Sequence, residues 1–191
     1  MQRVRSFIAI PVASGVAARA QELIKRLRDC NAAVNWVAPQ NLHLTLKFLG
    51  ETPINEAPEI CAAVARAAAD APPFDVAFRG LGAYPSPEKP RTLWLGVSEG
   101  EQELIELAQR VDEELAQIGY ARETRRFSPH LTIGRVRETI FPDHPLLEAM
   151  ARHRDYDANV MGVDEVVVYA SFLDRKGPTY DALGSVELGG Q

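Results

Sequence analysis

The sequence is poor in the residues that build disulfide frameworks and metal centres. Among its 191 residues are only two cysteines, Cys30 and Cys61, and four histidines. The two cysteines are too few for a disulfide framework and lack metal-ligand spacing, so we expect a protein of the reducing cytoplasm. Because no apolar run approaches the length of a membrane span, we expect no membrane partner.

An excess of positive charge is also absent, since the formal net charge is -5. Coating of long nucleic acids requires many neutralised phosphates, and this charge argues against that class of function. The basic residues are nevertheless clustered late in the chain. A small anionic group or a strand end suits this cluster better than a long duplex, and a solvated arginine surface is the alternative. Its members are Arg122, Arg125, Arg126, Arg135 and Arg137.

Two of the four histidines stand in nearly the same tetrapeptide. Residues 43–46 are His-Leu-Thr-Leu and residues 130–133 are His-Leu-Thr-Ile, whereas the numbers of histidines and threonines predict fewer than one His-x-Thr match by chance. Alternation of apolar and polar residues predicts that both copies are strands. Residues two apart on a strand point the same way, about 6.6 Å apart. Each strand therefore offers an imidazole and a hydroxyl that could hold and protonate one phosphate oxygen.

Strict alternation assigns a face to every residue around the first motif. Leu42, Leu44, Leu46 and Phe48 fall on the apolar face, and His43, Thr45 and Lys47 fall on the other. Lys47 is then either a phosphate contact or an exposed strand lysine. The alternative for each motif is that it is a half-exposed amphipathic strand with a structural role and no catalytic one.

The chain is expected to fold as one α+β domain. Its composition, 46% apolar and 25% charged, is ordinary for a soluble globular protein. The predicted elements of the first half are strand 4–10, helix 14–29, strand 42–48, helix 56–70 and strand 74–80. Those of the second half are strand 92–97, helix 101–117, strand 130–136, helix 145–152, strand 164–172 and a last strand near 179–188.

The two halves repeat the same order of elements in a similar register. Phe7 lies 36 residues before His43, and Trp94 lies 36 residues before His130. This spacing predicts two similar, interleaved lobes within a single domain of residues 1–191, related by a pseudo-two-fold axis that brings both motifs to one cleft. The proline-rich stretch 84–90 would be either a plain linker between the halves or a mobile, substrate-facing connection.

These residues resemble the two-histidine phosphoesterase superfamily, and within it the RNA 2′,3′-cyclic phosphodiesterases, also called bacterial 2′-5′ RNA ligases. The likeness runs nearly end to end. Its matching stretches are residues 5–10 (RSFIAI), 41–50 (NLHLTLKFLG), 94–97 (WLGV) and 127–135 (FSPHLTIGR).

The resemblance implies a bilobal α+β fold, with antiparallel sheets lining a central cleft and helices on the outer faces. It implies hydrolysis of 2′,3′-cyclic phosphate ends to 2′-phosphates, without metal or cofactor, and 2′-5′ RNA ligase activity in vitro. His43 would be the proton donor and His130 the proton acceptor. Thr45, Thr132 and Arg135 would bind the phosphate.

The chemistry agrees with these residue types. An imidazole titrates near neutral pH, so one histidine can be neutral while the other is charged. Hydroxyl and guanidinium donors would stabilise the charge of the phosphorane. Strict alternation, however, places Arg135 on the face opposite Thr132, so its role requires a bulge or twist near Gly134. Neither motif has a neighbouring carboxylate at matching spacing, so we expect no metal.

Other side chains keep two interpretations. Phe7 and Trp94 are either core residues or stacking platforms for a base, and Tyr84 and Tyr169 are equally ambiguous. His144 and His153 are expected to be solvated bystanders.

The expected partners are RNA ends or nucleotides with a 2′,3′-cyclic phosphate, tRNA fragments among them, and the expected state is a monomer. The alternatives are a cyclic phosphodiesterase acting on small nucleotides such as ADP-ribose cyclic phosphate, a 3′-5′ exonuclease acting on RNA tails, and a non-catalytic RNA-end binding module.

Overall fold

The computed structural model describes residues 2–174 and 177–190. The first half contains β1 (Arg3–Pro11), α1 (Ser14–Arg28), β2 (Val34–Trp36), β3 (His43–Pro53), α2 (Ala57–Ala68) and β4 (Phe74–Ser86). The second half contains β5 (Lys89–Glu99), α3 (Glu101–Gln117), β6 (His130–Val136), α4 (Pro145–Arg152), β7 (Asp157–Val163), β8 (Glu165–Asp174) and β9 (Gly177–Glu187). No helix in these described residues is both long and apolar enough to cross a membrane.

The strands form two antiparallel sheets of related order. The first sheet has the order β3-β1-β8-β9, and the second has the order β2-β6-β5-β4-β7. Each strand of the first sheet has a counterpart in the second, where β2 is the additional strand: β3 matches β6, β1 matches β5, β8 matches β4 and β9 matches β7. The expected bilobal pseudo-two-fold architecture is confirmed.

The helices are exchanged between the two sheets. Helix α1 follows β1 of the first sheet but packs against β7 of the second. Helix α3 follows β5 of the second sheet but packs against α2 and against β3 of the first. One connected set of buried apolar side chains includes members of both sheets and of all four helices. Each lobe is therefore completed by chain from the other half of the sequence.

Every predicted helix and strand is present, and two short strands were missed. Strand β2 has only three residues, too few for an alternating pattern to be recognised. In β7 the left-handed backbone of Asn159 (φ 81°) interrupts the alternation. The interpretation of residues 84–90 as a linker is wrong, because β4 and β5 pair as a hairpin as far as Ser86 and Lys89. Only Pro87 and Glu88 form the turn.

Each motif strand has a bulge directly after its threonine. In the first sheet Ile8 pairs with Lys47 and Ala9 pairs with Thr45, so Leu46 is the extra residue. In the second sheet Leu93 pairs with Gly134 and Trp94 pairs with Thr132, so Ile133 is the extra residue. The two bulges occupy the same position in the two motifs, which aligns Ala9 with Trp94. The equal spacing of Phe7 and Trp94 from their histidines gave an alignment that is wrong by two residues.

The first bulge overturns two assignments made by strict alternation. Lys47 is buried, with 4% of its surface exposed, and Phe48 is 64% exposed. Residues opposite each other in an antiparallel pair share a face, and Phe48 lies opposite Phe7, on the same face of β1 as Ala9. Phe48 therefore points to the same side as His43 and Thr45, because the extra residue shifts the alternation by one.

Candidate active site

The two motif strands belong to different sheets and approach each other across the cleft. His43 and Thr45 lie on β3, and His130 and Thr132 lie on β6. All four side chains are half-buried, while Leu44, Leu46, Leu131 and Ile133 on the reverse faces are buried in the core. The apolar half of each motif thus anchors its strand and leaves an imidazole and a hydroxyl in the cleft.

Both histidines are held by the same hydrogen bond. His43 Nδ1 lies 2.8 Å from the carbonyl oxygen of Asn41, and His130 Nδ1 lies 2.8 Å from that of Ser128. A carbonyl oxygen can only accept, so Nδ1 is the protonated nitrogen in both neutral rings. Nε2 is then the atom that can gain or release a proton. Among the described residues neither Nε2 has a hydrogen-bond partner.

Aromatic rings surround His43. Phe7 lies 4.8 Å from it between ring centroids, and Tyr180 meets it edge-on at 5.2 Å. Tyr169 stacks on Phe7 at 5.3 Å and lies 6.4 Å from His43. Phe7 is only 3% exposed, so it is a core residue behind His43 and not an open platform for a base. This enclosure fixes the ring and limits its access to water.

His130 has a smaller aromatic surround. Tyr84 meets its ring edge-on at 5.2 Å, and Trp94 lies at 6.2 Å. The Tyr84 hydroxyl is 3.1 Å from Ser128 Oγ, so Tyr84 also contacts the residue whose carbonyl holds His130. The Trp94 ring lies over Gly82, where a Cβ would meet it at 2.2 Å, and its Nε1 is buried. Trp94 is thus packed into the wall, and Tyr84 helps to position His130.

Burial lowers the pKa of His43, and the positive charge of Arg135 lowers it further, while the hydrogen bond to Asn41 acts in the opposite direction. The neutral ring is consequently favoured in the free protein. Strands β3 and β6 contact each other across the cleft, so a charge on β6 can act on the first-sheet histidine. Burial raises the pKa of Tyr180, and the positive charge of Arg135 partly offsets this rise.

The expected bulge beside Gly134 is present and determines where Arg135 points. Arg135 lies opposite Thr92, on the same face of β5 as Trp94, which lies opposite Thr132. Arg135 therefore shares the cleft face with Thr132, and its side chain is exposed. On its other side Arg135 lies opposite Asn35 of β2, whose side chain is exposed as well.

Lys47 belongs to a buried ionic network behind the cleft, so both sequence-based interpretations of Lys47 are wrong. Its Nζ lies 2.5 Å from Asp112 Oδ1 and donates to the Ala121 carbonyl at 2.8 Å. Asp112 also accepts from the Glu123 amide at 3.0 Å and pairs with Arg122 at 3.0 Å. These contacts tie β3 to the segment that leads from α3 into the second motif. They also hold the pKa of Asp112 low despite its burial.

The arginine cluster therefore divides. Arg122 is exposed but is held by ion pairs with Asp112 and Glu113, whereas within the described residues Arg125, Arg126 and Arg137 are exposed without an ion pair. Of these, Arg125 and Arg126 lie in the segment between the ionic network and His130.

The two remaining histidines have structural contacts elsewhere. His144 Nδ1 accepts the Leu146 amide at 3.1 Å and caps α4, and His153 meets Tyr156 edge-on at 5.9 Å. They are bystanders as expected, but half-buried ones. In the part of the chain that the structure describes, no cluster of three or more His, Cys, Asp or Glu side chains could hold a metal ion.

The sequence profile of the 2′-5′ RNA ligase superfamily matches residues 15–171, which include both motifs. The chain belongs to this superfamily. Two similar members are proteins named RNA 2′,3′-cyclic phosphodiesterase. The one from Thermotoga maritima is 34% identical over 98% of this chain and 97% of its own length, and the one from Aquifex aeolicus is 32% identical over the whole of both chains.

Solved structures of similar proteins have the same fold. A protein from Thermus thermophilus has a TM-score of 0.82 at 27% identity, covering 98% of this chain and 99% of its own. E. coli LigT complexed with 3′-AMP has a TM-score of 0.76 at 26% identity, with the same coverage. A nucleotide thus binds to a protein that shares the architecture described above.

Proposed function

We propose that this protein is a hydrolase that opens 2′,3′-cyclic phosphates at RNA ends to 2′-phosphates. Similarity to full-length relatives named RNA 2′,3′-cyclic phosphodiesterase supports the reaction class. The observation that carries the proposal is the pair of equivalent histidines on facing strands, each with Nδ1 bonded to a backbone carbonyl and Nε2 left for proton transfer. Ligation of 2′-5′ linkages in vitro, in which a ribose 5′-hydroxyl takes the place of water as the nucleophile that opens the cyclic phosphate, belongs to the proposal.

In the proposed reaction His130 accepts a proton from water as the water oxygen attacks phosphorus. The bond from phosphorus to the ribose 3′-oxygen breaks, and His43 donates a proton to that oxygen. The phosphate stays on the 2′-oxygen, and both histidines return to their starting states by exchange with solvent. Thr45, Thr132 and Arg135 would donate to the phosphate oxygens and stabilise the added negative charge.

The protonation state of His43 in the free protein bears on its assignment as the proton donor. Its lowered pKa favours the neutral ring, which cannot donate from Nε2. The cyclic phosphate brings a negative charge beside the imidazole and beside Arg135, and an adjacent opposite charge raises the pKa of a histidine. We therefore propose that substrate binding itself protonates His43.

The test is to incubate the protein, in excess EDTA, with 2′,3′-cyclic AMP and in parallel with an oligonucleotide ending in a cyclic phosphate. Phosphorus NMR should show a 2′-phosphate product from both. A 3′-phosphate product would reverse the roles of His43 and His130. Activity lost on chelation and restored by a divalent metal would contradict the two-histidine mechanism.

We further propose that residues 1–191 form one domain that works as a cytoplasmic monomer. The exchange of α1 and α3 between the sheets supports one folding unit, and the two cysteines are unpaired, as a reducing compartment requires. Sedimentation should give the monomer mass, and thermal unfolding should give one transition with equal calorimetric and van't Hoff enthalpies.

A further inference from the structure

Lys47 is a buried charge on the strand that carries the first motif, and the proposed reaction makes no use of it. Its Nζ lies 2.5 Å from Asp112 Oδ1 of α3 and donates to the Ala121 carbonyl at 2.8 Å. A buried ion pair often stabilises a fold no better than apolar side chains of similar volume would, because its attraction must first offset the lost hydration. A lysine at this position therefore needs a reason besides stability.

The second motif shows that a motif strand can form without such a lysine. Gly134 occupies the fourth position after the second histidine, as Lys47 does after the first. A Cβ at Gly134 would lie 2.8 Å from Val34 and 2.9 Å from Trp36, so strand β2 fills the space on that side. The strand still presents its histidine and its threonine to the cleft. The contribution of Lys47 must therefore be sought in the groups that it binds.

One of these groups, the Ala121 carbonyl, begins the segment 121–129, which leads from α3 to the second motif. Residues 121–126 are exposed, and the segment contains no helix or strand. Its backbone makes no hydrogen bond to the backbone of another described residue. Side chains hold its beginning instead, since Lys47 binds the Ala121 carbonyl and Asp112 accepts from the Glu123 amide at 3.0 Å.

The end of this segment holds His130. Phe127 packs against the core, Pro129 is buried and the Tyr84 hydroxyl contacts Ser128 Oγ. The Ser128 carbonyl lies 2.8 Å from His130 Nδ1. A stretch without backbone hydrogen bonds adopts one conformation only when both of its ends are fixed, because ordering each residue costs conformational entropy. The direction of the Ser128 carbonyl therefore depends on the anchor at the beginning of the segment as well as on the one beside it.

We propose that Lys47 is a positioning residue for the second half of the site. By fixing the beginning of the segment 121–129, it orients the Ser128 carbonyl and through it the His130 imidazole. This proposal rests on the proposed function, in which His130 accepts the proton of water, and adds the residue that aligns it. The first motif strand would thus carry its own histidine on one face and the support of the opposite histidine on the other.

The experiment separates the contact with the segment from the stability of the fold. In Lys47→Met this contact is lost, and Asp112 keeps Arg122 as its ionic partner. In the double variant Lys47→Met/Asp112→Leu two apolar side chains of similar volume replace the ion pair, so the free energy of unfolding should equal or exceed that of the wild type. Tyr156→Phe is the matched control, because it removes a hydrogen bond of 2.9 Å to the Arg19 carbonyl outside the cleft.

Ring-nitrogen NMR and steady-state kinetics are measured on all four proteins. In the wild type the His130 ring should be the Nδ1-protonated tautomer alone, whereas both Lys47 variants should give a mixture of tautomers at His130 and leave His43 unchanged. Their kcat on 2′,3′-cyclic AMP should fall by about 10–10²-fold, the cost of displacing a reacting group by up to an ångström. KM should change little, because the phosphate-binding threonines remain on their strands. Tyr156→Phe should alter neither ring and should keep the wild-type kcat.

A folded double variant with a single His130 tautomer and wild-type kcat would overturn the proposal. Equal changes at His43 and His130 would do so too, because Lys47 would then support the whole cleft. So would failure of both Lys47 variants to fold, since the ion pair would then hold the fold and not the segment. A wild type that opens no cyclic phosphate would refute the proposed function, while the His130 tautomers would still show whether Lys47 positions the ring.

Discussion

The two half-sites of this cleft are alike where protons would move and different where the rest of a substrate would lie. Each has a histidine held through Nδ1 by the carbonyl two residues earlier, a threonine two residues later and a bulge after that threonine. Beyond the bulge they differ, with Phe48 in one and Arg135 in the other. The comparison indicates that the proton-transfer geometry is common to both halves, while contacts that define orientation differ.

The surroundings of the two imidazoles differ as well. His43 is enclosed by Phe7 and Tyr180, and burial together with Arg135 lowers its pKa. His130 meets Tyr84, which is anchored by Ser128. A symmetric pair of histidines would process either ribose oxygen equally. In the proposed reaction, the unequal environments of the two histidines would therefore determine which ribose oxygen keeps the phosphate.

Removing either imidazole should have the largest effect and should affect both half-sites similarly. We expect His43→Ala and His130→Ala each to lower kcat on 2′,3′-cyclic AMP by about 10²–10⁴-fold, as for a positioned proton-transfer group. Folding should survive, because both side chains lie on the cleft face. His153→Gln is the control, since His153 contacts Tyr156 outside the cleft. A folded variant of either motif histidine with wild-type turnover would disprove the pairing.

Arg135 should matter for every substrate, because the proposed mechanism places it on the phosphate that all substrates share. We expect Arg135→Gln to lower kcat/KM by about 10²-fold on mononucleotide and RNA alike, the cost of one donor to a developing negative charge. Arg135→Lys should restore part of this, since it keeps the charge but not the paired donors. Arg137→Gln, just beyond the end of the same strand, serves as the control. Unaltered kinetics of Arg135→Gln would show that the phosphate lies elsewhere.

The exposed arginines before the second motif should affect RNA only. Arg125→Glu should raise KM for a cyclic-phosphate oligonucleotide several-fold and reduce the salt slope by about one, with 2′,3′-cyclic AMP unaffected. Arg122→Glu should instead lower the melting temperature, because it places a carboxylate beside Asp112 and Glu113. Comparison of these two variants separates RNA contact from structural support. If Arg125→Glu and Arg122→Glu both raised KM for the oligonucleotide and left stability unchanged, the separate roles of the two arginines would be disproved.

The smallest effect expected is a shift of the pH profile, and it distinguishes the roles of the two histidines. Removing the positive charge of Arg135 should raise the pKa of His43. A proton donor is active when protonated, so its pKa sets the alkaline limb, which should move to higher pH in Arg135→Gln. If His43 were the acceptor, the acid limb would move to higher pH instead. Profiles of kcat, which report the enzyme–substrate complex in which His43 is proposed to be protonated, decide between them together with NMR titration of the His43 ring.

The sequence predicted the parts of the site that depend on local pattern. The alternation around both motifs placed His43, Thr45, His130 and Thr132 on strand faces, and Gly134 indicated a bulge that would turn Arg135 into the cleft. The approach of β3 and β6 to each other across one cleft could be inferred because the motif is repeated. Periodicity and repetition can be read from the sequence alone and do not require knowing which distant residues come into contact in the fold.

Where the prediction was wrong, long-range packing decided the outcome. Lys47 and Phe48 were assigned to the wrong faces, because the bulge at Leu46 carries no glycine to mark it. A buried role for Lys47 depends on Asp112, 65 residues later in the chain, and Arg122 was grouped with the other clustered arginines because its partner Asp112 could not be recognised. Tyr180, which contacts His43, was missed because it belongs to no recognisable sequence motif. These features depend on pairs of residues that only the fold brings together.

The way the chain is laid through the two sheets also bears on how the cleft can move. It passes from one sheet to the other four times, between β1 and β2, β2 and β3, β3 and β4, and β7 and β8. Two domains joined by one hinge can rotate apart about that hinge. Here the two sheets are joined by four connections, and all four would have to bend together for the cleft to open. Many enzymes are limited by the opening of a lid. Here we expect a groove of nearly constant width, in which a nucleotide enters and leaves by sliding past side chains such as Tyr84 and Phe48.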